Sequence, residues 1–211
     1  MKVIAINGSP KKEGNTFHAL TMVGDELLAN GIEFEILHVG NKLIHGCLAC
    51  GKCADNQDEK CSIRTDDLNQ WIQIIKAADG IILGSPVHVS GIAGTMKCFL
   101  DRVFYVSRAN GNLLRHKVAA AVVAVRRTGG SATLDSLNHF ITYGEMLVAT
   151  SIYWNVIHGR TPNEVSQDGE GVQTMHILGK NICWLLKMKE ATAGTIQPPL
   201  PEKKVITNFI R

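Results

Sequence analysis

Residues 3–16 read Val3-Ile4-Ala5-Ile6-Asn7-Gly8-Ser9-Pro10-Lys11-Lys12-Glu13-Gly14-Asn15-Thr16. The first four form a short apolar run and predict a strand. A turn rich in glycine, hydroxyl and amide groups follows. Phe17, Leu20, Gly24, Leu27 and Leu28 then fall on one face of a helix. Glycines let the backbone turn tightly enough to aim amide N–H groups at an anion, and the helix start adds partial positive charge. Ser9, Asn15 and Thr16 can donate hydrogen bonds, and Lys11 or Lys12 can add charge. The turn is not a nucleotide P-loop: five residues separate Gly8 from Gly14, and Asn-Thr follows in place of Lys-Ser/Thr. Nor is it GxGxxG, which disfavours a Rossmann NAD site.

Working outward, apolar runs alternate with stretches of helical period. Phe34 to Val39, Gly80 to Gly84, Val118 to Val125 and a run near 147–153 read as further strands. Leu68, Trp71, Ile72 and Ile75 mark a helix that begins after Asp66 and Asp67. Met96, Phe99, Leu100, Val103 and Phe104 mark another, and two more are expected near 132–146 and 172–189. Val118 to Val125 is apolar throughout, as suits a strand buried on both faces of a parallel sheet. Five β–α units predict an α/β fold with a doubly wound parallel sheet; the five-stranded sheet it is taken to resemble is the flavodoxin-like one, of order 2-1-3-4-5.

In sheets of that order the winding reverses between strands one and three, the point at which flavodoxin-like folds take FMN, so a ligand is expected there. Strand three runs into Ser85-Pro86-Val87-His88-Val89-Ser90-Gly91, where Pro86, Val87 and Val89 can cover a ring face and backbone amides can meet the pyrimidine edge. Strand four runs into Arg126-Arg127-Thr128-Gly129-Gly130, whose glycines permit close approach of backbone to the ring. Arg126 and Arg127 are read as a solvated basic pair, as contacts to a nicotinamide cofactor's phosphate, or as groups that steady the flavin's negative charge. His88 is read as a ring-packing residue, with protonation of the flavin or acceptor as its alternative. Tyr153 and Trp154 are expected in aromatic core packing, with the lining of a flavin pocket as the alternative.

Cys47, Cys50, Cys53 and Cys61 form a C-x2-C-x2-C-x7-C pattern in the loop 43–65 after strand two. Three thiols at three-residue intervals can converge on one metal centre, and the fourth can close its shell. The spacing suits an iron–sulfur cluster better than tetrahedral zinc, whose ligands usually come as separated pairs. Cys98 and Cys183 lie in helical patterns and are expected in the core.

The 211 residues, 45% of them hydrophobic, allow one large domain with a full core. A formal charge of +3 without arginine-rich runs argues against nucleic acid. No signal peptide is evident, and no apolar stretch approaches the roughly 20 residues needed to span a bilayer, so no membrane association is expected. Clustered thiols without a secretory signal point to the reducing cytoplasm. The domain is expected over 1–190. A C-terminal arm, 191–211, carries Val205, Ile206, Phe209 and Ile210, which are expected to pack on the chain's own domain or a neighbouring subunit.

Over roughly residues 1–190 the chain resembles the NADPH-dependent FMN reductase superfamily, and within it the iron–sulfur flavoproteins of anaerobic archaea and bacteria. The likeness is carried by Gly8-Ser9-Pro10…Gly14-Asn15-Thr16, the cysteine quartet, Asp66-Asp67, Ser85-Pro86-Val87, Lys97…Asp101-Arg102 and Gly129-Gly130. The resemblance implies FMN, with its phosphate on Ser9, Lys11, Asn15 and Thr16. It implies ring contacts from Pro86, Val87, His88 and Gly91, and further contacts from Arg127, Gly129 and Gly130. It implies a cubane [4Fe–4S] cluster on the four cysteines and a homodimer or homotetramer. His88 stands where many relatives carry Tyr. The expected activity is an FMN-dependent oxidoreductase passing electrons from a ferredoxin-like donor through the cluster to FMN and on to a small-molecule acceptor. Two alternatives stand beside it: an NAD(P)H-dependent FMN or quinone reductase without a working cluster, and a zinc-stapled flavodoxin-like binding module.

Overall fold

The computed structural model describes residues 1–202, 204–207 and 209. Strand β1 (Lys2–Asn7) leads through the glycine turn to α1 (Asn15–Ala29) and β2 (Glu33–His38). The cysteine loop follows, broken only by the short α2 (Lys52–Asn56). Then come α3 (Leu68–Ala77), β3 (Gly80–His88), a two-residue β4 (Gly91–Ile92), α4 (Gly94–Ala109), β5 (Val118–Val125) and α5 (Gly130–Tyr143). Two short strands, β6 (Leu147–Val148) and β7 (Val156–His158), precede a 3₁₀ turn at Glu164–Gln167 and the long α6 (Gly169–Ala191).

The sheet runs β2-β1-β3-β5-β6 with all neighbours parallel, and β7 also pairs with β5. This is the flavodoxin-like order. Period-two alternation divides its two faces. Ile4 and Ile6 of β1 pack with Trp71, Phe99, Leu100 and Leu137 from α3, α4 and α5. Val3 and Ala5 face Leu20, Val23, Leu178 and Ile182 of α1 and α6. Every residue of β5 is buried, as expected for a central parallel strand.

The fifth position of the sheet departs from the expected continuous strand near 147–153. Leu147 and Val148 pair with Val118 and Ala119, the chain swings outward, and Val156–His158 returns to pair with Val123–Val125. The excursion carries Tyr153 and Trp154 into solvent, at 59% and 58% exposure, so the expected aromatic core packing does not form. Cys183 is buried as expected, but Cys98 is only half-buried. Beyond α6 the tail is held by Arg115, whose Nη1 donates to the Pro199 carbonyl at 2.8 Å. Val205, Ile206 and Phe209 remain exposed on this chain, and Ile210 lies outside the described residues.

Candidate functional site

The turn after β1 is folded on its own polar groups. Ser9 N–H donates to Asn7 Oδ1 at 3.0 Å, Asn7 Nδ2 donates to the Lys12 carbonyl at 3.0 Å, and Lys11 N–H donates to Ser9 Oγ at 3.2 Å. The segment leaving β2 is stitched to it. Val39 and Gly40 N–H both donate to the Asn7 carbonyl, and His38 Nε2 donates to the Ser9 carbonyl at 2.7 Å. A Cβ on Gly40 would stand 2.1 Å from the Ser9 carbonyl oxygen, so only glycine allows this close approach of two backbones.

These contacts shape a pocket of about 220 Å³ lined by Ser9, Lys11, Asn15 and Thr16 together with Pro86, Val87 and His88. Arg126 and Arg160 add positive charge to its wall. Thr16 Oγ, which can donate to an anion, is buried there without a partner, as is Asn15 Oδ1, which can only accept. Buried polar atoms are rarely left so, because each costs about 1–3 kcal/mol. Hydroxyl, amide and cationic side chains around a helix start fit a phosphate monoester such as that of FMN. Thr16→Val is expected to weaken FMN binding roughly 10–100-fold while leaving folded stability unchanged or about 1 kcal/mol higher, since it removes an orphaned hydroxyl and keeps the shape. Flavin titration and thermal unfolding of the flavin-free protein check both parts.

Above the pocket, β3 and β4 form a hairpin whose two-residue tip is Val89-Ser90. Both have positive φ, 49° and 58°, the signature of a type I′ turn that Asn-Gly usually fills. A fully exposed valine held there is backbone strain kept at the edge of a binding site. Gly129, at φ 86°, lies against this tip: a Cβ on it would come within 2.9 Å of Ser90 Cα. Gly91 pairs with His88 in the hairpin. Arg127, Gly129 and Gly130 do not line the phosphate pocket but face a neighbouring cavity. Arg160 was not foreseen. It follows β7, which the reading of a continuous strand near 147–153 places elsewhere.

All four cysteines of the loop line a single cavity of about 480 Å³ against α4. Cys50 Sγ lies 3.3 Å from Ser62 Oγ, and a hydroxyl proton given to the thiolate holds Cys50 below the usual thiol range. Burial pushes the Cys53 thiol up. Among the described residues, no three His, Cys, Asp or Glu side chains converge on one point as ligands of a single ion would. In a [4Fe–4S] cubane each thiolate meets a separate iron, so thiols surround the group instead of meeting. A cavity walled by four thiols fits that arrangement.

Arg102 organises this cavity. Its side chain is fully buried and forms a bidentate pair with Asp66, with Nη2 to Oδ1 at 3.1 Å. It also donates to the His45 carbonyl (3.3 Å), the Ile63 carbonyl (3.4 Å) and Cys61 Sγ (3.3 Å). One guanidinium thus clamps both ends of the cysteine loop. Burial works against its charge, but the hydrogen bonds to Asp66 and Cys61 outweigh burial and hold its pKa above the ordinary value. Asn69 adds a reciprocal pair with the Cys61 backbone, and Asn110 Nδ2 donates to the Cys53 carbonyl. The sequence signal for Arg102 is a lone charge on the helix face otherwise made of Phe99, Val103 and Val106.

An anion-gripping turn at the winding reversal of this sheet, under a strained hairpin, defines a flavodoxin-like, flavin-binding α/β protein. The sequence pattern described as NADPH-dependent FMN reductase matches residues 1–161. The chain belongs to that family. It is 34% identical over 197 residues to an iron–sulfur flavoprotein of Methanocaldococcus jannaschii, covering 89% of this chain and 98% of that one. It is 29% identical over 191 residues to an iron–sulfur flavoprotein of Methanosarcina thermophila, covering 89% and 96%. Among solved structures, RosB with bound 8-demethyl-8-formylriboflavin-5'-phosphate shares the fold, with a TM-score of 0.72 and 14% identity over 100% of this chain and 94% of that one. The chain is a flavin-dependent oxidoreductase that uses FMN. Among the described residues, no helix is long and apolar enough to cross a membrane.

Proposed function

We propose that the protein is an electron-transfer iron–sulfur flavoprotein, which passes electrons from a ferredoxin-like donor through a [4Fe–4S] cluster to FMN and on to a small acceptor. The observation that carries this reading is the gathering of Cys47, Cys50, Cys53 and Cys61 around one cavity whose loop is rooted, through Val39 and Gly40, on the phosphate turn. FMN supplies one- and two-electron chemistry when bound, and the cluster supplies single electrons. The chain's residues provide position and charge. Ser9, Lys11, Asn15 and Thr16 hold the phosphate. Pro86, Val87, His88 and Gly91 border the ring, with Arg127, Gly129 and Gly130 on the turn beside it. Arg102 Nε donates a hydrogen bond to Cys61 Sγ and so positions it. His88 is exposed at the pocket's mouth, where it would pack on the ring.

A homodimer or homotetramer in the cytoplasm is part of this reading. Leu48 and Tyr105 border the cysteine cavity yet stay 60% and 56% exposed, which supports a second copy covering them. The test is metal, sulfide and flavin analysis of protein purified without oxygen. The expected result is brown protein with about four irons, about four acid-labile sulfides and one FMN per chain. Iron-free yellow protein reduced rapidly by NADPH would make it an NAD(P)H-dependent FMN or quinone reductase, and one zinc with little flavin would make it a stapled binding module.

A further inference from the structure

Across the Arg126–Gly130 turn from the phosphate pocket lies a separate cavity of about 390 Å³, bordered by Arg127, Ser131, Tyr153, Trp154, His158 and Thr174. We propose that it is a second small-molecule site, built for a planar aromatic carboxylate or sulfonate and independent of the flavin.

The aromatic half of the site comes from the break in the sheet's edge. Between β6 and β7 the chain leaves the ladder and presents Tyr153 and Trp154, whose rings meet edge to face at 4.5 Å. The excursion is tied down by hydrogen bonds. Ser151 Oγ lies 2.6 Å from the Tyr153 carbonyl and 2.7 Å from Asn155 Oδ1, and Val123 N–H donates to the Asn155 carbonyl at 2.9 Å. Two large apolar rings held in water by a fixed loop make a platform for another flat ring.

The polar half favours an anion. Arg127 is exposed, and no carboxylate of the described residues pairs with it. Its guanidinium matches a carboxylate or sulfonate in shape. The first amides of α5 and of α6 both border the cavity. Of the two acids on the wall, Asp168 is already engaged: its Oδ1 accepts from Gly171 N–H at 3.0 Å, and its Oδ2 accepts from His158 N–H at 2.8 Å and lies 3.3 Å from His158 Nδ1. Glu170 is the remaining negative charge. The other ring nitrogen of His158 has no hydrogen-bond partner among the described residues and is available to a ligand.

The probe is naphthalene-2-sulfonate, a flat anion that flavin cannot reduce, titrated into FMN-loaded full-length protein by calorimetry. One saturable site per chain is expected. Trp154→Ala and Arg127→Gln should each weaken it by about tenfold or more. Trp184→Ala, which removes an exposed tryptophan of α6 outside the cavity, should change it by less than about twofold. The neutral naphthalene-2-sulfonamide should bind about tenfold more weakly. Flavin-stripped Thr16→Val protein should bind the sulfonate unchanged, which separates this site from the flavin reading. Absence of saturable binding, equal losses at Trp154 and Trp184, equal affinity for the sulfonamide, or loss of binding with the flavin would each overturn the proposal.

Discussion

The Cys50→Ala variant is expected to assemble no stoichiometric iron or sulfide and to keep its FMN. Cys50 is exposed, with its sulfur 3.3 Å from Ser62 Oγ, so its removal takes away a ligand without opening a hole in the core. No fifth thiol lines the cavity to replace it. Cys98, on α4, is half-buried at the root of the loop, where its sulfur would stand 3.7 Å from a Cβ on Gly46. Meanwhile the phosphate pocket shares no residue with the cysteine cavity. Iron, sulfide and flavin should be assayed together after oxygen-free reconstitution. Full iron in the variant would disprove the ligand assignment, and loss of FMN alongside iron would show that the two centres are not separately held.

Replacing Arg102 by Met should be the most damaging single change to the fold around that cavity. It leaves Asp66, only 5% exposed at its side chain, without its counter-charge, and it releases the carbonyls of His45 and Ile63. Breaking a buried pair from one side costs about 3–5 kcal/mol. Combining it with Asp66→Leu should recover most of the stability, because an apolar pair of similar volume often matches a buried ion pair. The double variant should still fail to hold iron, since the guanidinium that joins the two ends of the loop and donates to Cys61 Sγ is gone. Arg102→Lys should fall between, as an ammonium lacks the planar fork that reaches four partners. Urea unfolding and iron content read these two effects apart. A loss of stability below about 1 kcal/mol in Arg102→Met would refute the clamp.

What could be read from the chain was whatever local pattern decides. The apolar run of β5 admits no exposed face, and the stripe Leu68, Trp71, Ile72, Ile75 is buried as its period requires. The phosphate turn announces itself because its polar groups are contiguous. Features set by distant partners were not legible. Leu147 and Val148 look like the start of a strand, yet only Val118 and Ala119 are there to pair with them before the chain departs. That displacement hid Arg160 from a search of strand ends. It also turned Tyr153 and Trp154, whose bulk suggests interior packing, outward. Cys98 has core-like neighbours in sequence but meets the cysteine loop in space. Arg102 could be noticed as an oddity on an apolar face, but its partners, 36 to 57 residues away, come together only in the fold.

The broken fifth position also bears on how these molecules behave when crowded. An outermost strand with a continuous row of free amides and carbonyls is a template for foreign chains. Here that rim is two stubs of two and three residues separated by a detour of the chain, so an incoming strand finds no unbroken ladder to extend. The opposite rim, β2, carries Glu33 and Glu35, with Glu35 paired to Lys2 at 2.8 Å, and sets charge against the same approach. Fibrous stacking through the sheet is thereby disfavoured from either side, leaving self-association to helices and loops.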